Sequence, residues 1–568
     1  MHVHIVPNRG SPPTVLLRES YREGSKVRKR TLANLSSLSA AQIESIRATL
    51  RGEFLQPVAQ SFEVIASPSH GHVQAVALAM QRVGFASLVA SKPCRERDLV
   101  LAMVGARILA PHTKLATTRW WHTTTLPEEF DVVDADEDDL YAAMDWLRAH
   151  QNTIQKKLAA RHLSEGGLVL YDLSSSYFEG SCCPLAKMGY NRDGKTGLLQ
   201  VNYGLLTDAR GCPVAVSVYE GNVTDSKTLM PKVKRLREDF GIERFVLVGD
   251  RGMISSKAIA ELRETDGVGW ITALKSVSIR ALVEQGHLQL GLFDEVNLVE
   301  LSSPEYPGER LVACRNPELA RLRAHKREEL LAATARNLDK IKLSVDAGRL
   351  LGSDKIGVRA GKVVNQYKVA KHFELTIEDN TFTFARKRDA ILAEAALDGI
   401  YIIRTSVNAV QMDAPSCVRN YKSLAQVERA FRSLKTVDLK IRPIHHRKAD
   451  RVRAHIFLCM LAYYVEWHMR EAWRELMFAD ADQAAKATRD PVAPAKRSKA
   501  AQAKAASHTL DDGTPAHCFS TLLADLAGIV RNTCRTPQSG PDAPTFQIVT
   551  TPTAKQHQAL ELLQKIRL

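Results

Sequence analysis

Two short runs constrain this chain more than anything else in it: Leu168-Val-Leu-Tyr-Asp172 and Phe245-Val-Leu-Val-Gly-Asp250. Each is an unbroken apolar stretch that closes on an acid, the pattern of a strand buried on both faces of a sheet. Between them, 199–206 and 214–219 read as two further strands joined through Asp208-Ala-Arg-Gly211, a good hairpin turn. An amphipathic helix is predicted over 226–240, a second over 254–264, and a fifth strand over 269–274.

Strand, strand, strand, helix, strand, helix, strand, with a long helix still to come, is the order of a ribonuclease-H-like domain. The expected fold is α/β: a ribonuclease-H-like mixed five-stranded sheet with flanking helices. An α+β insertion interrupts it, and a small β-rich segment and a helical domain precede it. The body spans 166–275 and 396–476. The insertion, 276–395, carries a charged helix over 318–345, a Gly-punctuated basic stretch at 355–371 and a hairpin over 373–384. A strand over 399–405 and helices over 421–435 and 451–476 follow. Phe457, Tyr463, Tyr464 and Trp467 on the last helix are assigned to packing. Upstream, 1–55 reads as a basic hairpin plus a helix capped by Ser39 and Gln42. Residues 56–165 are helical by their three-to-four spacing, either a DNA-end-recognition domain or a scaffold. Residues 477–568 are read as a basic flexible tail with short terminal helices.

A chain of 568 residues exceeds one core, so several domains are required. Its formal net charge of +15 favours a polyanionic partner, because each cation set against a phosphate releases a counterion. Charge alone does not separate this from a basic protein with no such partner. The nine cysteines include no C-x2-C pair, which argues against a structural zinc site and suits a reducing compartment. The N-terminus lacks an apolar signal core, and the longest apolar run, 456–465, is too short to span a bilayer. A cytoplasmic, nucleoid-associated protein with no membrane partner is expected.

Phosphodiester transfer needs an activated water or 3′-hydroxyl and a stabilised leaving oxygen. Two divalent ions about 3.5–4 Å apart supply both when acidic side chains hold them. Asp172 and Asp250 end strands that are neighbours in such a sheet, about 4.8 Å apart, and bare carboxylates that close repel unless a cation intervenes. Either Asp alone reads better as a turn residue; the matched pair points to a metal. A third acid, Glu428, recurs with Tyr421 and Lys435 at intervals of seven on one helical face, with Arg432 four residues on. That segment alone equally fits a solvated helix with ordinary ion pairs.

These residues resemble the DDE transposases of bacterial insertion sequences, in the superfamily with a Y-x2-R-x3-E-x6-K signature and a large insertion before the glutamate. Tyr421, Glu428 and Lys435 match it, while Leu424 stands where the signature has arginine, leaving that role to Arg429 or Arg432. Further matching stretches are Tyr171–Gly180, Gly189-Tyr-Asn-Arg-Asp-Gly194, Gly221-Asn-Val-Thr-Asp225, Val248-Gly-Asp-Arg-Gly-Met253 and Arg442-Pro-Ile-His-His446. The resemblance implies a catalytic, metal-binding triad of Asp172, Asp250 and Glu428. It implies two Mg²⁺ ions, with Mn²⁺ as substitute, and Tyr421, Lys435 and Arg251 as phosphate contacts. The implied partners are double-stranded DNA (terminal inverted repeats and target) and a second copy of the chain, in a homodimer or larger synaptic complex. A catalytically silent DNA-binding derivative and a ribonuclease-H-like nuclease are the alternatives.

Arg28, Lys29 and Arg30 either grip DNA or form a solvated hairpin face. Asp225 is read as a helix N-cap and Asp193 as a turn residue. His445 and His446, with Arg447 and Lys448, line a possible DNA path. Tyr367, Phe373 and Phe384 in the insertion are assigned to its core in preference to base stacking.

Overall fold

Antiparallel pairing of Thr14–Glu23 with Lys26–Asn34 makes the N-terminal basic segment a hairpin. A computed structural model describes residues 1–53, 62–293, 295–483, 488–494, 496–536 and 544–568. Strands β1 (His2–Val6), β2 (Thr14–Glu23) and β3 (Lys26–Asn34) make an antiparallel sheet in that order. The helix Ala40–Leu50 follows, with both hydrogen bonds of the Ser39–Gln42 capping box formed. The boundary expected at residue 55 lies outside the described residues. Strand β4 (Glu63–Ala66) closes this part of the chain.

The second compact unit, Ser69–Gly528 with Pro552–Leu568, is built on one large mixed sheet. Its strands are β5 (Gly167–Tyr177), β6 (Gln200–Thr207), β7 (Pro213–Glu220), β8 (Phe245–Val248) and β9 (Val268–Ala273). Three more join them: β10 (Leu298–Leu301), β11 (Arg310–Arg315) and, beyond a separate hairpin of β12 (Phe373–Ile377) and β13 (Phe382–Arg386), β14 (Ile400–Thr405). The order is β10-β11-β14-β9-β8-β5-β6-β7. The sheet therefore has eight strands where five are predicted. The extra ones come from the insertion and the segment after it: β14 pairs antiparallel with β9, and β11 and β10 add outward from it. Leu274, Ile279, Leu282, Leu311 and Ile402 bury a core beneath this extension. Only the later part of 276–395 has a core of its own, in which Leu338, Ile356, Phe373 and Phe382 pack between the helices Pro317–Asp346 and Ser353–Gln366 and the β12–β13 hairpin. Phe373 is buried there, and Tyr367 and Phe384 pack against it.

Residues 69–165 share the sheet's core. The helix Glu137–His162 lies along β7, where the side-chain amides of Gln151 and Gln155 each donate to the Val216 carbonyl at 3.2 Å. These bonds cover part of an edge strand that would otherwise present bare polar backbone. The helix Ala449–Ala472 is buried from Ala454 to Met469 and packs on β7 and on the helices Arg95–Leu109 and Glu137–His162. Among the described residues no single helix is long and apolar enough to cross a membrane.

The C-terminal region departs from the flexible tail expected over 477–568. The helix Ala554–Gln564 packs on Gly71–Arg82 with Ala559 and Leu563 buried, and Trp473 Nε1 donates to the Ala559 carbonyl at 2.9 Å. Strands β15 (Arg531–Arg535) and β16 (Thr545–Val549) return to the N-terminal unit, where β15 pairs with β4. The compositional signal of a tail is confined to short windows, and sequence-distant partners supply the burial that those windows lack.

Candidate active site

The parallel register of β5 on β8 ends at Leu170 opposite Val248. Asp172 and Asp250 each lie two residues past that pair, so both stand at the same edge of adjacent strands. Asp172 does not close its strand as predicted: β5 continues to Tyr177, held by antiparallel pairing to β6, with Asp172 opposite Leu205. The apolar run ends where β8 ends, and only β6 carries the strand further.

Asp172 is partly buried and Asp250 exposed. Burial pushes the Asp172 carboxyl up to about 7; the Leu173 N–H, donating to Oδ1 at 2.8 Å, opposes this. Asp250 and Asp225 raise it further, and Arg192 lowers it. Two acids and one cation thus act on Asp172 in addition to its desolvation. Asp225 begins the helix Ser226–Glu238 but makes no side-chain cap; its carboxylate takes Arg192 at 2.5 Å. Arg192 and Asp225 are therefore neighbours of the site, which their turn-like sequences disguised. The segments that hold them meet closely: a Cβ on Gly189 would lie 2.1 Å from the Gly221 carbonyl oxygen.

The third acid comes from a broken helix. One continuous helix over 421–435 is predicted, but the chain forms Ala414–Lys422, then Leu424–Arg432, then a π-helical turn over Ser433–Val437. At the first break the Ser423 hydroxyl donates to the Asn420 carbonyl at 2.6 Å, a side-chain bond that competes with helix continuation. Val427, Ala430 and Phe431 bury the inner face of the middle piece, with Phe431 edge-on to Tyr203 at 5.8 Å, leaving Glu428 exposed. Tyr421 links the acids: burial pushes its hydroxyl up to about 12, and both Asp250 and Glu428 add to the rise, with Arg251 opposing. Asp250 thus acts on Asp172, and both Asp250 and Glu428 act on Tyr421.

Lys435 stands in the π-turn, and its Nζ pairs with Asp193 at 3.1 Å, with 12% and 2% of the two side chains exposed. Arg442 pairs with the same carboxylate, which also accepts from the Tyr177 N–H at 3.1 Å. Asp193 is thus a buried tie between β5, the π-turn and the segment after it, more than the turn residue its setting suggests. Arg251, Arg429 and Arg432 are exposed near the acids in sequence, Arg429 donating to Gln426 at 3.2 Å. On the N-terminal hairpin Arg28 pairs with Glu23 at 2.5 Å and Arg30 with Glu19 at 2.7 Å, while Lys29 lies opposite Ser20.

One family model, described as transposase DDE domain, matches residues 174–465, more than half of the chain. The chain belongs to the DDE transposase family. A second model, the IS1634 family transposase N-terminal domain, matches residues 3–59, the hairpin and the helix after it. The protein is a DNA transposase of an insertion sequence. Asp250 and Glu428 fall inside the matched region, and Asp172 lies two residues before it. No curated protein matches the transposase. Among solved structures it is similar to a piggyBac transposase synaptic complex with hairpin DNA, at 10% identity and a TM-score of 0.34 over 80% of this chain and 77% of that one. A score so low decides nothing about the fold.

Elsewhere in the transposase, His162, Cys212 and His468 place ligand-type atoms within 4.8 Å of one another, a cluster that sequence spacing did not reveal. Burial lowers both histidines and raises the thiol, and Arg161 and Arg210 act on both imidazoles. Cys212 Sγ lies 4.0 Å from His468 Nε2, and His162 Nε2 3.0 Å from the Tyr464 hydroxyl. These are the contacts of a neutral, packed trio.

Proposed function

We propose that this transposase cuts and joins DNA at the terminal inverted repeats of its element, using Asp172, Asp250 and Glu428 on a ribonuclease-H-like sheet. The central order β7-β6-β5-β8-β9, with β5 parallel to β8, supports that fold assignment. The observation that carries the reading is the matched register of Asp172 and Asp250, with an Asp172 carboxyl that favours its proton near neutral pH. Such a set of hard oxygen donors suits Mg²⁺, or Mn²⁺ in its place, and two ions are in keeping with three acids. When bound, the metal supplies a water or hydroxyl made nucleophilic and a charge opposite the leaving oxygen. Asp172 stands on β5 and Asp250 two residues beyond the end of β8, so two paired strands anchor both acids. Tyr421, protonated throughout the physiological range, is placed to donate its hydroxyl to a phosphate oxygen. Arg251, Arg429 and Arg432 neutralise phosphates alongside. Lys435 would join them by exchanging its Asp193 partner for a phosphate.

The proposed partners are double-stranded DNA and a second copy of the chain in a synaptic assembly, in the cytoplasm near the nucleoid. The net charge of +15 supports the first of these. The experiment is cleavage of element-end DNA with Mg²⁺ or Mn²⁺ by Asp172→Asn, Asp250→Asn and Glu428→Gln proteins. Each should lose cleavage and strand transfer by at least about a thousandfold while binding DNA within a few-fold of the parent. Wild-type cleavage by any one of them removes that residue from the site.

A further inference from the structure

Between the helix Lys114–Trp120 and the segment after the π-turn lies a cavity of about 420 Å³, walled by Arg107, Lys114, Lys440, Arg442, His446 and His455. Lys114 is 5% exposed and makes no hydrogen bond or ion pair to any described residue. Arg107, 7% exposed, reaches only the carbonyls of Leu439 at 3.5 Å and His112 at 3.3 Å. His455 spends Nε2 on the Ile441 carbonyl at 3.1 Å and leaves Nδ1 buried without a partner. Lys114, Arg107, Arg451 and His445 act on His446, and Arg107, His446 and Lys114 act on His455. Two wall residues are met by acids: Arg442 by Asp193, and His445 by Glu179 at 3.8 Å.

A buried ammonium beside a buried guanidinium, with no counterion, is an arrangement that folding disfavours. Burial and Arg107 accordingly push Lys114 down to about 7. An oxyanion reverses this: it accepts from the ammonium, the guanidinium and an imidazole at once, and brings the missing negative charge. The wall is also tied to the catalytic strand, since Asp193 joins Arg442 to the Tyr177 N–H. Tyr177 stands roughly 17 Å along β5 from Asp172, a span of about five base pairs of duplex.

We infer that this cavity is a phosphate-binding site that seats a backbone phosphodiester of the bound DNA several base pairs from the active site. The inference rests on the transposase reading for its ligand, and two probes keep the two apart. The first is inorganic phosphate, compared with chloride at equal ionic strength, in thermal unfolding of the full chain. The second is a random-sequence duplex titrated over a range of salt, because a backbone contact is independent of sequence. Phosphate should raise the melting temperature of the parent and leave Lys114→Met unmoved. Lys114→Met should bind the duplex about tenfold more weakly, with a salt slope smaller by about 0.9. Lys234→Met, an equal loss of charge at an exposed helix position paired with Glu238, should keep the parent's slope. A Lys114→Met protein still stabilised by phosphate overturns the site. One that loses that response but keeps the parent slope overturns its assignment to DNA. If the parent binds no duplex at all, the transposase reading falls and the phosphate response alone decides the cavity.

Discussion

Replacing Asp193 with Asn neutralises the carboxylate that Lys435 and Arg442 share. Only 2% of the Asp193 side chain is exposed, against 12% for Lys435 and 23% for Arg442, so water cannot take over the lost interactions. Removing one partner of a buried ion pair costs about 3–5 kcal/mol, chiefly because the remaining charge is stranded. An amide oxygen can still accept from the Tyr177 N–H, which puts the expected cost at the lower end, about 3 kcal/mol. In a chain of two units a global unfolding free energy is poorly defined. Local hydrogen exchange reads the effect directly: amides of Tyr177 and of 433–444 should lose protection by about a hundredfold. In a double-mutant cycle with Lys435→Met the two changes should couple by about 1–3 kcal/mol. Exchange within threefold of the parent in Asp193→Asn would refute the reasoning. So would a Lys435→Met protein that weakens DNA binding with unchanged exchange, since Lys435 would then be the phosphate contact its place in the signature implies.

Glu466 is fully buried, with Oε1 accepting from Ser433 at 2.7 Å and Arg470 at 2.6 Å and Oε2 unpartnered; burial pushes it up to about 7. The folded state then binds the extra proton between pH 4.5 and 7, so stability falls as pH rises through that window. Glu466→Gln should match the parent at pH 4.5 and exceed it at pH 8 by roughly 3 kcal/mol; parallel melting-temperature profiles would contradict this. Leu563→Ala, at a fully buried position of the last helix, should cost about 2–5 kcal/mol and admit protease to that helix. No change in proteolysis would restore the flexible tail.

The two apolar runs ending in Asp172 and Asp250 were legible because a buried strand writes itself into consecutive residues. The capping box at Ser39 is equally local, whereas the parallel register of those strands is a tertiary outcome. Glu428 was singled out by its spacing from Tyr421 and Lys435, a spacing that placed all three on one unbroken helix. A period of seven assumes an unbroken α-helix, and the break at Ser423 and the π-turn after Arg432 end it twice.

Sequence by itself determined the strands β5 and β8, the acids that end their apolar runs and the basic character of the chain, because each is a property of neighbours along the backbone. Tertiary structure alone decided that Lys435 and Arg442 converge on Asp193, that Lys114 is buried without a counterion, and that the last helix docks on Gly71–Arg82. Those outcomes depend on burial and on charges brought together from far apart in the chain, and no local pattern of residues encodes either.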